Sequence, residues 1–579
     1  MCGLLLAGCV TVPTSGHVQS VNVTQGGTSG GQSYLQPIPV PPGHGWTPQQ
    51  IVSGFLAANA SFANGHAVAR EYLTSSASRT WHPGWAVQVF GQSPSIVTPV
   101  HGSPYSDKTA ATTVVEVSGP VQGSVSDSGQ YAISPQGQAA APQKFQLVRQ
   151  DGEWRVSRLP GVVLLTEADF VHVYQPRNIY FFDPAMQVLV PDPVYVPQEA
   201  TPADLVTQLL QVLLAAPSGW LLSAAQTAFP AGTRLLNVSL DGGAAIVNLS
   251  GPVTRASDQT FRRMSAQLLW TLAGSSADQP TIQSVELEVN GKPRTLLGSD
   301  SPVQQMGSYA SYVPSAPGHA SFYYADNRGA VRSLSGTTQA NAPQGAPVPG
   351  QAGTGQIPLD QVAVSPNGRF VAGIGPGGAL YTARPAKGAT LTLRAAGPFT
   401  SLSWDTQGNL WAISGDQVWL VPGPSGAAVQ VTSSLGSGKR ITALKVAADG
   451  VRCAMLVTGS GGSQLMLAAI VHSGSQAMIG PAVPISSQNG HFIALTWYDS
   501  DHVIVLSRPS GNPVLDEVAI NGEMLVPVPA QEGTVSITAD GASNPLVAGL
   551  SNGQMATLAS LGGLWSGVVG AGRAPAYPG

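Results

Sequence analysis

The chain has 579 residues, 10% of them charged, with a formal net charge of −4. Ordinary soluble domains carry about 25% charged residues, and the basic runs here reach only pairs such as Arg262-Arg263 and Lys439-Arg440. This excludes nucleic-acid binding through a basic stripe, a charged coiled coil and a charge-driven disordered chain. With 68 Gly, 47 Pro and 43% hydrophobic residues, the length points to roughly three or four domains rich in short strands and turns.

The N-terminus reads Met1-Cys2-Gly3-Leu4-Leu5-Leu6-Ala7-Gly8-Cys9. Leu6-Ala7-Gly8-Cys9 resembles the lipobox of bacterial lipoproteins, which implies a diacylglyceryl group on Cys9 and removal of residues 1–8. Those residues contain no Lys or Arg and are shorter than a basic n-region plus an apolar stretch of about 7–15 residues. They are expected to be the end of a signal peptide whose start lies upstream. Two acyl chains anchor stably where one does not. No later segment reaches the roughly 18 apolar residues of a membrane span. Cys453, in the strand-like run Val451–Leu456, reads as a small core hydrophobe.

Residues 9–46 are rich in Gly, Ser, Thr, Pro and Gln and read as the lipidated cysteine and a flexible tether. Thr47-Pro48-Gln49-Gln50 predicts a capped helix start with Pro in the first turn and a capping box. Ile51, Phe55, Leu56, Ala58 and Phe62 supply its apolar face. A second helix over Ala67–Leu73, strands near Ala86–Phe90 and Thr112–Val117, and a hairpin from Phe145 to Val156 across Asp151-Gly152 follow. Two helices and a curved sheet closed by that hairpin resemble the NTF2-like cone, expected over 47–172, with Trp154 in its core.

Residues 176–298 read as a second α+β domain. Short strands Asn178–Pro184 and Val188–Pro191 precede a helix opened by Thr201-Pro202-Ala203-Asp204, with Leu205, Leu209, Val212 and Leu213 as its buried stripe. Phe229-Pro230-Ala231-Gly232-Thr233 leads into strands Leu235–Leu240 and Ala244–Leu249 across Asp241-Gly242-Gly243. A helix carrying Phe261, Met264, Leu268 and Leu272, a strand Ser284–Val289 and the turn Asn290-Gly291 complete the set. This order resembles the GerMN domain, with Asn248 standing where that family often has Asp.

Residues 299–318 read as a linker and 319–579 as repeats. Ser365-Pro366-Asn367-Gly368, Asp405-Thr406-Gln407-Gly408, Ala448-Asp449-Gly450, Asp499-Ser500-Asp501 and Ala539-Asp540-Gly541 each follow an alternating strand. A spacing of about 40–50 residues predicts the four-stranded blades of a β-propeller, five or six in number. The unit from Ser321-Phe322-Tyr323-Tyr324 to Val331–Leu334 is expected to share a blade with the C-terminal strands and so close the ring.

Motifs of catalysis fail on context. Gly27-Thr28-Ser29-Gly30-Gly31 fits G-x-S-x-G but lies in the tether, without the strand and helix a nucleophile elbow needs. Gly373–Gly378 fits G-x-G-x-x-G, but strand Ala379–Ala383 follows, so it predicts a blade hairpin rather than a phosphate-binding turn. Trp404, Trp411 and Trp419 alternate within blade strands and read as mostly structural. The histidines form no H-x-H or H-E-x-x-H, so no metal or cofactor site is expected and the chain reads as a non-enzyme.

The succession of lipobox, tether, NTF2-like segment, GerMN-like segment and propeller resembles the actinobacterial LpqB lipoprotein family over nearly the whole chain. The resemblance implies an extracytoplasmic, membrane-anchored partner for the outer domain of a sensor kinase of the MtrA–MtrB two-component system, affecting cell-wall homeostasis and division. The alternative is capture of a cell-wall glycan or peptide by the cone or the propeller. With so little charge, steering toward a partner by electrostatics is not expected.

Overall fold

The computed structural model describes residues 39–579 except 62–64, 82–85, 98–110, 135–140, 199–200, 274–281, 313–318, 320, 336–343, 424, 475, 487–489, 523 and 542. The lipobox residues Leu6, Ala7, Gly8 and Cys9 and the Gly27–Gly31 match lie outside these. Among the described residues, no helix is long and apolar enough to cross a membrane.

The expected tether ends earlier than position 46. Tyr72 donates its hydroxyl to the carbonyl of Val40 at 2.6 Å, Trp46 packs on Tyr72, and the Gly45 amide donates to Glu153 at 3.0 Å. Residues 40–46 therefore belong to the N-terminal domain. Helix Pro48–Asn59 starts as the residues dictate: Thr47 Oγ1 accepts from the Gln50 amide and Gln50 Oε1 from the Thr47 amide. Ile51, Val52, Phe55 and Ala58 are buried, and Phe55 meets Phe145 and Trp81 edge-on.

The strands of this domain form two sheets rather than the one curved sheet expected. One has the order Ser95–Val97, Thr112–Ser118, Gln143–Gln150, Glu153–Arg158. The other runs Tyr131–Ile133, Val121–Val125, Val87–Phe90, Val163–Thr166, with its last pair parallel. Asp151 and Gly152, at φ 53° and 83°, form the two-residue turn whose twist suits a hairpin. Alternation then puts Phe145, Leu147, Trp154 and Val156 inside, with Trp154 in the core as expected.

In the central domain the two short strands are longer than expected: Tyr174–Phe182 and Leu189–Pro197 pair along their whole length. Asp183 closes the turn by accepting from the Ala185, Gln187 and Val188 amides. Helix Pro202–Ala215 is capped by Thr201 and buries Val206, Leu209, Leu210, Val212 and Leu213; Leu205 is only half-buried. Strands Leu235–Asp241 and Ala244–Leu249 form a hairpin, and helix Asp258–Leu272 supplies the crossover that parallel pairing of Ala244–Leu249 with Ser284–Val289 requires. The expected linker starts too early at 299. Val303–Gln305 pairs with Ser284–Val289, and buried Tyr309 accepts from the Trp270 indole through its carbonyl.

The remainder is a propeller of six four-stranded blades among the described residues. Their innermost strands are Arg573–Ala576, Gln361–Val364, Phe399–Trp404, Arg440–Val446, Phe492–Trp497 and Thr534–Thr538, each packed on the next around the ring. The first blade is composite: Arg573–Ala576 pairs with Ser321–Ala325, which closes the ring as the sequence suggests. Gly373–Gly378 is the hairpin expected, between Val371–Ile374 and Leu380–Ala383.

The core of the central domain does not stop at its border. Phe181, Leu189 and Leu269 belong to one continuous buried cluster with Val451, Leu456 and Leu467 of the fourth blade and Leu495, Val503 and Val518 of the fifth. A shared apolar core resists separation far more than a polar domain contact does.

Candidate functional site

The innermost strand of a blade is an edge strand, and its free backbone groups face the propeller axis, where they need partners. Hydroxyls of neighbouring blades supply them. Ser401 Oγ accepts from the Leu444 amide, Ser403 Oγ from Val446 (3.0 Å), Thr496 Oγ1 from Ala539 (3.2 Å) and Thr538 Oγ1 from Tyr577 (3.1 Å). One tie is of another kind: the Lys445 ammonium donates to the carbonyl of Leu402 at 2.9 Å.

At the end where the innermost strands run into their first turns, the axis widens into a cavity of about 290 Å³. All six blades line it, among them Ala363, Ser403, Lys445, Thr496, Thr538 and Ala576. Trp497, partly exposed, forms apolar wall, and its indole donates to the Lys445 carbonyl at 3.0 Å. Burial lowers the Lys445 ammonium to about 8. No ion pair of Lys445 occurs among the described residues. The side-chain carboxylates on the same lining, Asp540 and Asp499, are committed elsewhere. Asp540 accepts from the His319 amide and ring and from Asn544, and Asp499 accepts from the Asp501 and His502 amides and the His502 ring.

The repeated turns explain themselves at this end. An Asp whose carboxylate caps its own turn holds the hairpin shut: Asp326, Asp405, Asp449 and Asp499 each accept from amides two to four residues on, and Ser365 Oγ does so from the Phe370 amide. Gly329, Gly368, Gly408, Gly450 and Gly541 take positive φ.

Beside the cavity lies the seam with the central domain. Arg452 is buried and donates from Nε to Asp449 (2.6 Å), from Nη2 to the Ser500 carbonyl (2.6 Å) and from Nη1 to the Pro191 carbonyl (3.5 Å). Its guanidinium lies 5.3 Å from the Trp497 ring centroid, so it touches cavity wall and central hairpin together. Next in that hairpin, Asp192 is buried and accepts from the Ser218 amide and hydroxyl, both at 2.6 Å. Burial pushes Asp192 up to about 6 against the lowering effect of those two bonds and of Arg452. Asn178 donates to Asp501 at 2.8 Å. Burial alone would lower His502, but Asp499 and Asp501 outweigh it and raise it to about 10. The Asp499, Asp501 and His502 atoms could reach a common cation, yet their mutual bonds already account for them.

Of the other residues singled out by sequence, Asn248 clips the Asn290-Gly291 turn: its amide donates to Asn237 and its oxygen accepts from the Gly291 amide. Cys453 is buried, with burial pushing its thiol up, away from nucleophilic use. Trp411 is buried and donates to Asp405, Trp404 stacks on Phe370 and Trp419 meets Phe399. Sequence reasoning missed Lys445, Arg452 and Asp192.

These features define a multidomain protein: two α+β domains, the second fused by its core to a closed six-bladed propeller with an axial cavity. Three family models match in turn, "Lipoprotein LpqB, N-terminal domain" over residues 41–171, "Sporulation and spore germination" over 178–295 and "Lipoprotein LpqB beta-propeller domain" over 336–578. Lipoprotein LpqB of Thermobifida fusca is 31% identical, covering 87% of this chain and 86% of its own length. That of Streptomyces avermitilis is 29% identical, covering 100% and 97%. The chain belongs to the lipoprotein LpqB family. Among solved structures, a nidogen–laminin complex covers 44% of this chain and 97% of its own at 9% identity and a TM-score of 0.36; the propeller assignment rests on the strand pairing above.

Proposed function

We propose that the chain is an extracytoplasmic lipoprotein, held at the membrane by acyl chains on Cys9, that modulates a sensor kinase of the MtrA–MtrB type by binding its outer domain. The observation that carries this reading is Leu6-Ala7-Gly8-Cys9 ahead of a three-domain body that matches lipoprotein relatives along nearly its whole length. Tethering confines the body to a thin layer above the bilayer and raises its effective concentration at a membrane partner. The core shared by the central domain and propeller supports the second half of the reading. A surface of fixed shape can bind one state of a partner better than another, and differential affinity is what shifts an equilibrium. Downstream effects on cell-wall homeostasis and division follow from the kinase's role in that family.

Photo-crosslinking in intact cells tests this. Crosslinkers distributed over the propeller and central domain of the anchored protein are expected to capture the outer domain of the kinase, with the yield falling steeply in Cys9→Ala. Absence of the kinase from every crosslinked position at native expression would reject the reading.

A further inference from the structure

Lys445 does more than its seam requires. The same seam is already tied by the Ser403 hydroxyl, and at two other seams a Thr hydroxyl suffices; hydroxyls cost little to bury when bonded. An ammonium is far costlier to bury and gains by it only if its charge is used. Its bond to the Leu402 carbonyl occupies one of three N–H donors. The side chain is enclosed by the protein yet keeps open surface, because it borders the axial cavity.

The rest of the lining sets the chemistry. Asp540 is held by His319 and Asn544, and Asp499 by His502 and its own turn. The Ser403, Thr496 and Thr538 hydroxyl oxygens each accept from a backbone amide, and Thr496 also donates to the Trp497 carbonyl. Lys445 is thus the cation on the lining, in no ion pair among the described residues, and the wall beside it combines the Trp497 indole and aliphatic groups with the Ser403, Thr496 and Thr538 hydroxyls. A phosphate or sulfate site would gather several charged donors, such as arginines or a helix N-terminus; this cavity offers one ammonium among hydroxyls and apolar surface. Its size falls at the lower end for small-molecule sites, enough for one residue-sized group rather than a saccharide chain.

We propose that the axial cavity is a binding site for a small monocarboxylate bearing an apolar or aromatic group, with Lys445 as the carboxylate partner and Trp497 flanking the apolar part. The proposal stands apart from the kinase reading, since it concerns the propeller axis and needs no protein partner. The carboxylate belongs either to a free acid or to the end of a short peptide.

The test is calorimetric titration of the full-length protein in detergent with N-acetylphenylalanine, with its amide, with the dipeptide alanyl-phenylalanine and with inorganic phosphate. The acid is expected to bind about tenfold or more tightly than the amide, the worth of one charge-assisted hydrogen bond. Phosphate is expected to compete poorly. The dipeptide distinguishes the two sources: binding as tight as the acid means a peptide end is accepted, weaker binding means a free acid is preferred. Lys445→Gln keeps a donor for the Leu402 carbonyl and is expected to erase the preference for acid over amide while melting like the wild type. Should that variant not fold, the wild-type protein still decides. Its preference for acid should fade as pH rises past about 8; the other titrating groups beside the lining are His319, which its bond to Asp540 raises, and His502, raised to about 10. Asp499 and Asp540 are paired carboxylates, and burial raises Tyr498 and Tyr577 above the usual phenol value. Equal affinity for acid and amide, phosphate binding as tight as the acid, or no heat with any ligand would overturn the proposal.

Discussion

His502 is the residue whose charge is most firmly fixed by its surroundings. Its Nδ1 lies 2.9 Å from Asp499 and 3.4 Å from Asp501, and Asp501 also takes the Asn178 amide from the central domain. The folded pKa of about 10 stands above the ordinary value of 6.5. A group raised on folding contributes stability that is complete below its unfolded value and is lost as pH climbs through the folded one. His502→Gln should therefore cost about 2 kcal/mol near pH 6, and the deficit should shrink toward nothing by about pH 10 to 11. Urea melts at several pH values check this; a deficit independent of pH would mean that the ring packs but does not pair. Single residues of this kind are poorly legible in sequence. Asp499-Ser500-Asp501 is readable as a turn, but the charge on His502 depends on side chains folding back over it, and Asp501 is itself held by Asn178, 323 residues distant from it.

At the scale of elements, local chemistry reads well and junctions do not. Thr47-Pro48 and Thr201-Pro202 announce helix starts because capping needs only three or four neighbouring residues. Asp241-Gly242-Gly243 announces a hairpin because Gly242 and Gly243 take φ of 53° and 88°. The blade turns are legible for the same reason, since the Asp accepts from amides within four residues. The first of them, Asp326-Asn327-Arg328-Gly329, carries the same bonds but sits in a unit whose innermost strand comes from the other end of the propeller, so it reads as a fragment. The two sheets of the N-terminal domain are hidden because Val87–Phe90 chooses the distant Val163–Thr166 as its parallel partner. The seam on the central hairpin is hidden too. Nothing near Arg452 in sequence signals Pro191, 261 residues away. Its removal tests the seam. Arg452→Leu leaves the Asp449 carboxylate buried without its cation, and breaking such a pair costs about 3–5 kcal/mol. Equilibrium unfolding should show that loss, and hydrogen exchange should quicken at Val190 and Asp192 along with the fourth blade. Loss confined to the blade, with the central hairpin unchanged, would show that the seam does not couple them.

On the scale of the whole molecule, the low charge takes on a specific meaning. The blade turns use Asp on their own backbone, the axial hydroxyls tie blade to blade, and the seam consumes Arg452, Asp449 and Asp192 internally. Few charges remain to steer a partner from a distance, so in the proposed function contact would depend on shape, on hydrogen bonds and on confinement at the membrane. The central domain and propeller, sharing one core, would meet that partner as one body. The most direct measurement is kinase autophosphorylation in proteoliposomes as the density of this lipoprotein is varied. The acylated protein should change the rate at low surface density, and the Cys9→Ala protein should reach the same change only at about 10²–10⁴-fold higher concentration, the usual gain from tethering. A rate untouched by either form across that range would contradict the account.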